Sequence, residues 1–339
     1  MTPKPQTLRP IRLLSLALLV FCLGVAQGQT FTRFHAKGSI GTIPQGINDS
    51  NMVVGYYLDN ADPSVLHGFL RAPGGNITSF DPPGSTYTWA NAINAAGTVA
   101  GNWNDAGGSS HGFVRKTDGT FEEFDPQGAV GTLIYAINAS GAVTGYYADS
   151  SGATSGLLRA PDGTITTFNP AKATATYPAA INDTGAITGN YSTSRDSARY
   201  HGFLRAKKGR IITFDPQGAI STYANGINAS GMITGYYIDG YGNEHGFVRD
   251  ASGVITAFDP DGSIATFAYA INNSNTVAGY YLDSGYYAHG FIRSATGTIT
   301  TFDPPKSAIT YCVSINASGA VTSSFNTGRG GPRGYVRLP

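Results

Sequence analysis

The chain has 339 residues, with 22 Lys plus Arg against 21 Asp plus Glu, so no charge excess points to nucleic acid or another polyanion. Charged residues are only 13%, while Gly numbers 45, Tyr 20 and Phe 17; this excludes a disordered or coiled-coil chain and points to a β-rich protein with many turns. Two cysteines exclude a disulfide scaffold and a multi-cysteine zinc site.

Residues 1–12 carry Lys4, Arg9 and Arg12 and no acid. Residues 13–25 are apolar and are followed by Ala26-Gln27-Gly28. A basic head, a short apolar run and small residues describe a secretory signal peptide over 1–28, cleaved after Gly28. The run of 13 residues is short of the ~20 needed to span a bilayer, and no other segment is a membrane span. Phe21 before Cys22 argues against lipidation, which needs a small residue there. Cleavage leaves 19 basic and 21 acidic residues, and Cys312 as a lone thiol.

One repeat fills the rest. Ile-Asn recurs at 47, 93, 137, 181, 227, 271 and 315, with spacings of 44 or 46. His-Gly-Phe-Leu-Arg or a variant begins at 67, 111, 155, 201, 245, 289 and 333. Phe-Asp-Pro or a variant begins at 34, 80, 124, 168, 214, 258 and 302. Each unit reads as four strands. The first ends at Ile-Asn, with a small residue before the Ile and a large apolar or aromatic one four before it, such as Trp89, Tyr177 or Tyr311. The turn after it needs φ > 0 at Gly97, Gly141, Gly185, Gly231 and Gly319, or at Asn51 and Asn275. The second strand alternates Val or Ile, Gly, then an aromatic such as Tyr57, Trp103 or Tyr147. The third is His-Gly-Phe-Leu-Arg. The fourth ends at Phe-Asp-Pro, because Pro cannot extend a ladder.

The fourth strand follows the third in only six units, since the chain stops at Pro339. Thr30–Phe34 matches the missing copy. The expected fold is therefore all-β: a single domain over 29–339, a seven-bladed β-propeller of four-stranded antiparallel blades, closed by the N-terminal strand completing the last blade.

The pattern Ala-Ile-Asn-x-x-Gly-x-Val-x-Gly followed by His-Gly-Phe-Leu-Arg resembles the HAF family of bacterial extracellular repeats, named for a His-Ala-Phe triplet. Here His-Gly-Phe stands at 67–69, 111–113, 201–203, 245–247 and 289–291, while Ser155 and Arg333 depart from it. The resemblance covers essentially all of 31–337. It implies export and a repeated β-fold, and it carries over no catalytic residue.

The five repeat histidines occupy one place in separate units, so they are spread around the fold instead of converging on an ion; side chain to backbone hydrogen bonding is the expected role. An Arg closes every third strand (71, 115, 159, 205, 249, 293 and 337); Asp81, Asp125, Asp215, Asp259 and Asp303 are offered as its partners, and backbone carbonyls would also serve. Six Asn-x-Ser/Thr sequons arise from the Ile-Asn turn and a further one at Asn76; the turn Asn are read as turn formers. Glu122, Glu123 and Glu244 are the only Glu, and no nucleophile elbow, zinc-protease helix or phosphate loop appears.

The repeat varies most between the second and third strands, and loops on a rigid scaffold collect binding residues. Candidate ligand-binding residues are Trp103, Tyr200, Asp239, Tyr241, Glu244, Tyr286 and Tyr287. Asp239 to Glu244 also offers oxygens for weak calcium binding, without the ligand spacing of an EF-hand loop. The first reading is an exported binding or scaffold module, monomeric, without cofactor or metal, holding a glycan or an exported protein on the variable-loop face. The alternative is a propeller enzyme, a polysaccharide lyase or glycosidase acting at the channel mouth. A third is a purely structural surface protein.

Overall fold

A computed structural model describes residues 30–339 apart from 194 and 195. The expected signal peptide over 1–28 lies outside the described residues. Those described form 29 β-strands and no helix.

The third unit shows the local logic. Its strands run Ala129–Ile137, Val143–Asp149, Thr154–Arg159 and Ile165–Phe168. Ile137 pairs with Val143, and the turn between them is closed by Gly141 N–H donating to the Asn138 carbonyl at 3.0 Å. Gly141 has φ 88°; Asn51 and Asn275 adopt φ 59° and 60° at the same place, as the sequence requires. The second-strand glycine has a different cause. A Cβ at Gly145 would overlap the Leu133 carbonyl of the paired first strand, so no side chain fits. A bulge between Ile134 and Ala136 turns the end of that first strand.

Apolar residues of the second and third strands fill the space between units. Val53, Val143, Ile187, Ile233 and Val277, with Phe69, Phe113, Phe203, Phe247 and Phe291, are all fully buried. Each contributes about 1.5–3 kcal/mol. Cys312, the one thiol among the described residues, belongs to this core; burial pushes its pKa up to about 12, so it stays protonated and unreactive.

The repeat arginines do not pair with the Phe-Asp-Pro aspartates; of the two kinds of partner expected, backbone carbonyls receive Nη1 of Arg71, Arg249 and Arg293 at 3.2–3.4 Å. Each guanidinium lies over the Phe of the preceding Phe-Asp-Pro: Arg71 over Phe34, Arg159 over Phe124, Arg249 over Phe214 and Arg337 over Phe302, at 4.9–5.0 Å. A delocalised, weakly hydrated cation fits a buried ring face better than a lysine would. Arg159 alone reaches a carboxylate among the described pairs, Glu122 at 2.9 Å. The aspartates are taken by histidine, as described below.

The division into seven four-stranded blades closed by the N-terminal strand is overturned by the strand network. The strands join into three sheets of eight and one of five. Single parallel bridges, Leu66 to Tyr87, Thr154 to Ala175 and Glu244 to Ala265, carry hydrogen bonding from the third strand of one unit to the first of the next. In the five-stranded sheet the first strand is broken into Ile309–Thr310 and Ser314–Ile315. Thr30–Phe34 does pair antiparallel with Arg333–Leu338, Thr30 facing Leu338 and Phe34 facing Gly334. It thereby edges the five-stranded sheet, and the sheets do not close into one. A motif marks where a strand begins; register decides where a sheet ends.

Candidate functional site

The first strands of all units line an axial channel with two unlike ends. At the narrow end stand the seven Ile-Asn pairs, around a space of about 260 Å³. Each Asn is buried and its hydrogen-bonding groups are in use. Asn138 Oδ1 accepts from Ser140 N and Ala142 N, at 3.1 and 3.0 Å, which shapes the turn. Asn138 Nδ2 donates to the Asn182 carbonyl at 3.2 Å, and Asn182 Nδ2 to the Asn228 carbonyl at 2.8 Å. The series returns from Asn316 Nδ2 to the Asn48 carbonyl at 3.0 Å. The asparagine series thus joins the first unit to the last, beside a backbone bond from Thr42 N–H to the Pro332 carbonyl at 2.9 Å. The turn Asn are therefore structural, as the sequence suggests, with a unit-linking role that it does not reveal.

Toward the periphery, the repeat histidines bond to carboxylates, not to backbone. Nδ1 of His67, His111, His201, His245 and His289 donates to Asp81, Asp125, Asp215, Asp259 and Asp303 at 2.7–2.8 Å. On the other side, Nε2 of His111, His245 and His289 faces the loop residues Asp105, Asp239 and Asp283 at 3.3–3.5 Å. Desolvation pulls these three imidazoliums down, but the flanking carboxylates outweigh it and the net shift is upward. The unit with Ser155 in place of His exchanges both partners: Asn169 Nδ2 donates to Ser155 Oγ at 3.0 Å, and Thr176 Oγ1 donates to Asn169 as Thr132 does to Asp125. His111, His245 and His289 thereby hold the loop to the fourth strand, each within its own unit.

At the wide end the channel opens into a cavity of about 600 Å³. Its wall draws on the residue two before the Ile in every unit, and in some units on the residue four before it and the residue after the second-strand Gly. These include Trp89, Tyr135, Tyr177 and Tyr269 from first strands and Tyr56 and Tyr146 from second strands. Amides are interleaved: Gln45, Asn91, Asn102, Asn190 and Asn225. None of the described lining side chains is Asp, Glu, His, Lys, Arg or Cys.

Five of the units link their rings into a continuous belt. Tyr135 meets Tyr146 at 5.8 Å between centroids, Tyr146 meets Tyr177 at 5.0 Å, and Tyr177 meets Tyr200 at 5.9 Å. Tyr200 meets Tyr223 at 5.3 Å, Tyr223 stacks on Tyr236 at 4.6 Å, and Phe267 and Tyr280 carry the series to Tyr311. Burial first, and then neighbouring phenols, push Tyr146 and Tyr280 well above the usual phenol range. At neutral pH they remain hydroxyl donors on an uncharged surface.

Of the residues nominated from sequence, the structure brings two to this belt. Tyr200 packs between Tyr177 and Tyr223, and Glu244 is close enough to raise the pKa of Tyr223 and Tyr236, after burial itself. Trp103 is buried beneath His111 at 4.8 Å. Tyr241, Tyr286 and Tyr287 stand exposed on the variable loops. Asp239 caps its own turn, accepting from Tyr241 N and Asn243 N; those bonds hold its pKa down at about 2. Sequence reasoning missed the amides and the Tyr after the second-strand Gly. The signal was there: this position is Tyr, Asn, Tyr, Asn, Tyr, Tyr and Ser in successive units, at residues 56, 102, 146, 190, 236, 280 and 324.

No known family profile and no curated protein sequence matches the chain. Solved structures do. A catalytically inactive virginiamycin B lyase from Staphylococcus aureus, crystallised with quinupristin, is similar at TM-score 0.59 and 14% identity, over 92% of this chain and 100% of that one. The β-propeller domain of the Trilobed protease from Pyrococcus furiosus, whose topology is described as open velcro, is similar at TM-score 0.62 and 8% identity, over 87% and 95%. An acylaminoacyl peptidase from Pyrococcus horikoshii is similar at TM-score 0.60 and 11% identity, over 88% of this chain and 52% of that one. At such identities the likeness shows the fold alone: all-β and propeller-like.

Proposed function

We propose that this chain is an exported, propeller-like binding module that takes an uncharged glycan in its wide axial cavity. The carrying observation is the wall of the cavity, where aromatic rings and amides stand without a carboxylate, imidazole, amine or guanidinium among the described residues. Ring faces pack against the C–H faces of sugars, and amides supply the matched donors and acceptors that hydroxyls need. Glycoside cleavage calls for a pair of carboxylates flanking the scissile bond, and the wall offers none among the described residues. Export and membership in the HAF family rest on the N-terminal segment and the repeat motif, and suit a cell-envelope or extracellular ligand. The test is a glycan array with the wild-type chain and Tyr146→Ala. Binding to neutral glycans that Tyr146→Ala weakens supports the reading; identical profiles for the two proteins overturn a cavity site.

A further inference from the structure

The belt stops where the first two units begin, and a different chemistry takes over there. Asn91 Nδ2 donates to the Ile134 carbonyl at 2.7 Å and to Asn102 Oδ1 at 3.0 Å. These two bonds fix both amides. Only a nitrogen can donate to the carbonyl of Ile134, so the other Asn91 atom is an oxygen. Only an oxygen can accept from Asn91, so the other Asn102 atom is a nitrogen. Both residues line the cavity, and Asn102 is only 4% exposed. The two bonds thus leave Asn91 Oδ1 as an acceptor and Asn102 Nδ2 as a donor for partners other than each other. Two amides of fixed orientation, bonded side by side in the wall of a cavity, offer a donor and an acceptor as a matched pair.

We infer that Asn91 and Asn102 form a reading head for the terminal residue of a neutral glycan, which deepens the binding reading above and rests on it. One sugar hydroxyl donates to Asn91 Oδ1 and a neighbouring one accepts from Asn102 Nδ2, while the aromatic wall takes the ring face. The belt binds sugars broadly, because every pyranose has an apolar face; the amide pair discriminates, because only some hydroxyl arrangements satisfy both atoms.

The experiment is titration calorimetry with maltotriose, cellotriose and β-1,4-mannotriose on the wild-type chain, Asn102→Asp, Asn102→Ser and Tyr146→Ala. Asn102→Asp keeps the acceptor for Asn91 and loses the donor. Asn102→Ser removes the amide without adding charge, and Ser324 already occupies the equivalent place in the last unit. The expected result is that the wild type prefers one trisaccharide, that both Asn102 variants lose roughly tenfold or more in affinity for it, and that the preference collapses. Tyr146→Ala weakens all three alike and leaves the preference standing. Asn102 variants that bind and discriminate as the wild type does overturn the reading head while leaving the glycan site intact. A wild type that binds none of the three overturns both.

Discussion

The two ends of the channel are built from the same strands and obey opposite rules. At the narrow end every unit presents Asn with the same bonds to its own turn and to the next unit. At the wide end the corresponding positions differ from unit to unit, running through Tyr, Asn, Gln, Ala and Val. A position that repeats without change serves what every unit shares, which is its attachment to a neighbour. A position that changes cannot serve that purpose, so its identity is free for recognition. Within one chain, variation among repeats separates scaffold from site.

That contrast can be broken at either end. The largest effect is expected at the narrow one. Asn182→Ala removes the acceptor for Thr184 N and Ala186 N and the donor to the Asn228 carbonyl. Buried groups left unpaired cost about 1–3 kcal/mol each, so a loss of roughly 2–4 kcal/mol is expected in urea unfolding. A cost below about 0.5 kcal/mol would show that the asparagine series holds nothing. At the wide end, Tyr146→Ala should leave the fold in place and lower neutral-glycan affinity by about thirtyfold, for a loss of roughly 2 kcal/mol of ring contact.

A third change sharpens the role of the loops. Tyr286 has φ 63° at a turn position where other units place Gly108, Gly152 and Gly242. A bulky residue in the left-handed region costs about 1–2 kcal/mol. Tyr286→Gly should therefore raise the melting temperature, and a lower one would mean that the exposed ring is held by contacts of its own.

The smallest effect is electrostatic. His111, His245 and His289 have pKa values raised in the fold, so their contribution is complete below the unfolded value of about 6.5 and is lost as pH rises through the folded value. Asp239, held at about 2, contributes above about 3.8 and is lost as pH falls toward 2. Thermal melts should accordingly decline modestly from pH 6 to 8. A melting temperature that rises over that window contradicts the carboxylate–imidazole pairs, and replacing His111 by Gln should flatten the decline in part.

Much of this was legible in the residues, and the failures share a cause. The strands, their turns and the φ > 0 positions follow from local pattern, and they stand as read. Aspartate was a wrong partner for the arginines, though backbone carbonyls were a right one: the Phe that receives Arg159 lies 35 residues back, and the carboxylates that looked available were already committed to histidine. The joined sheets were missed because a single bridge such as Leu66 to Tyr87 leaves no motif. Tyr200 and Glu244 were found through loop variability and proved to sit beside the belt; Asn91 and Asn102 were missed because an Asn in a strand looks ordinary until its partners are known.

Sequence alone determined the periodic part of this protein: a β-strand repeat, the residues each turn demands, and the aromatic and amide stock carried by each unit. Those are set by backbone sterics and side-chain size within a few residues. Tertiary structure decided how the units bond to one another, where each sheet ends, and that rings and amides up to 224 residues apart, from Gln45 to Tyr269, face one cavity. Such convergence depends on the curvature summed over every unit, a quantity that no single stretch of chain contains.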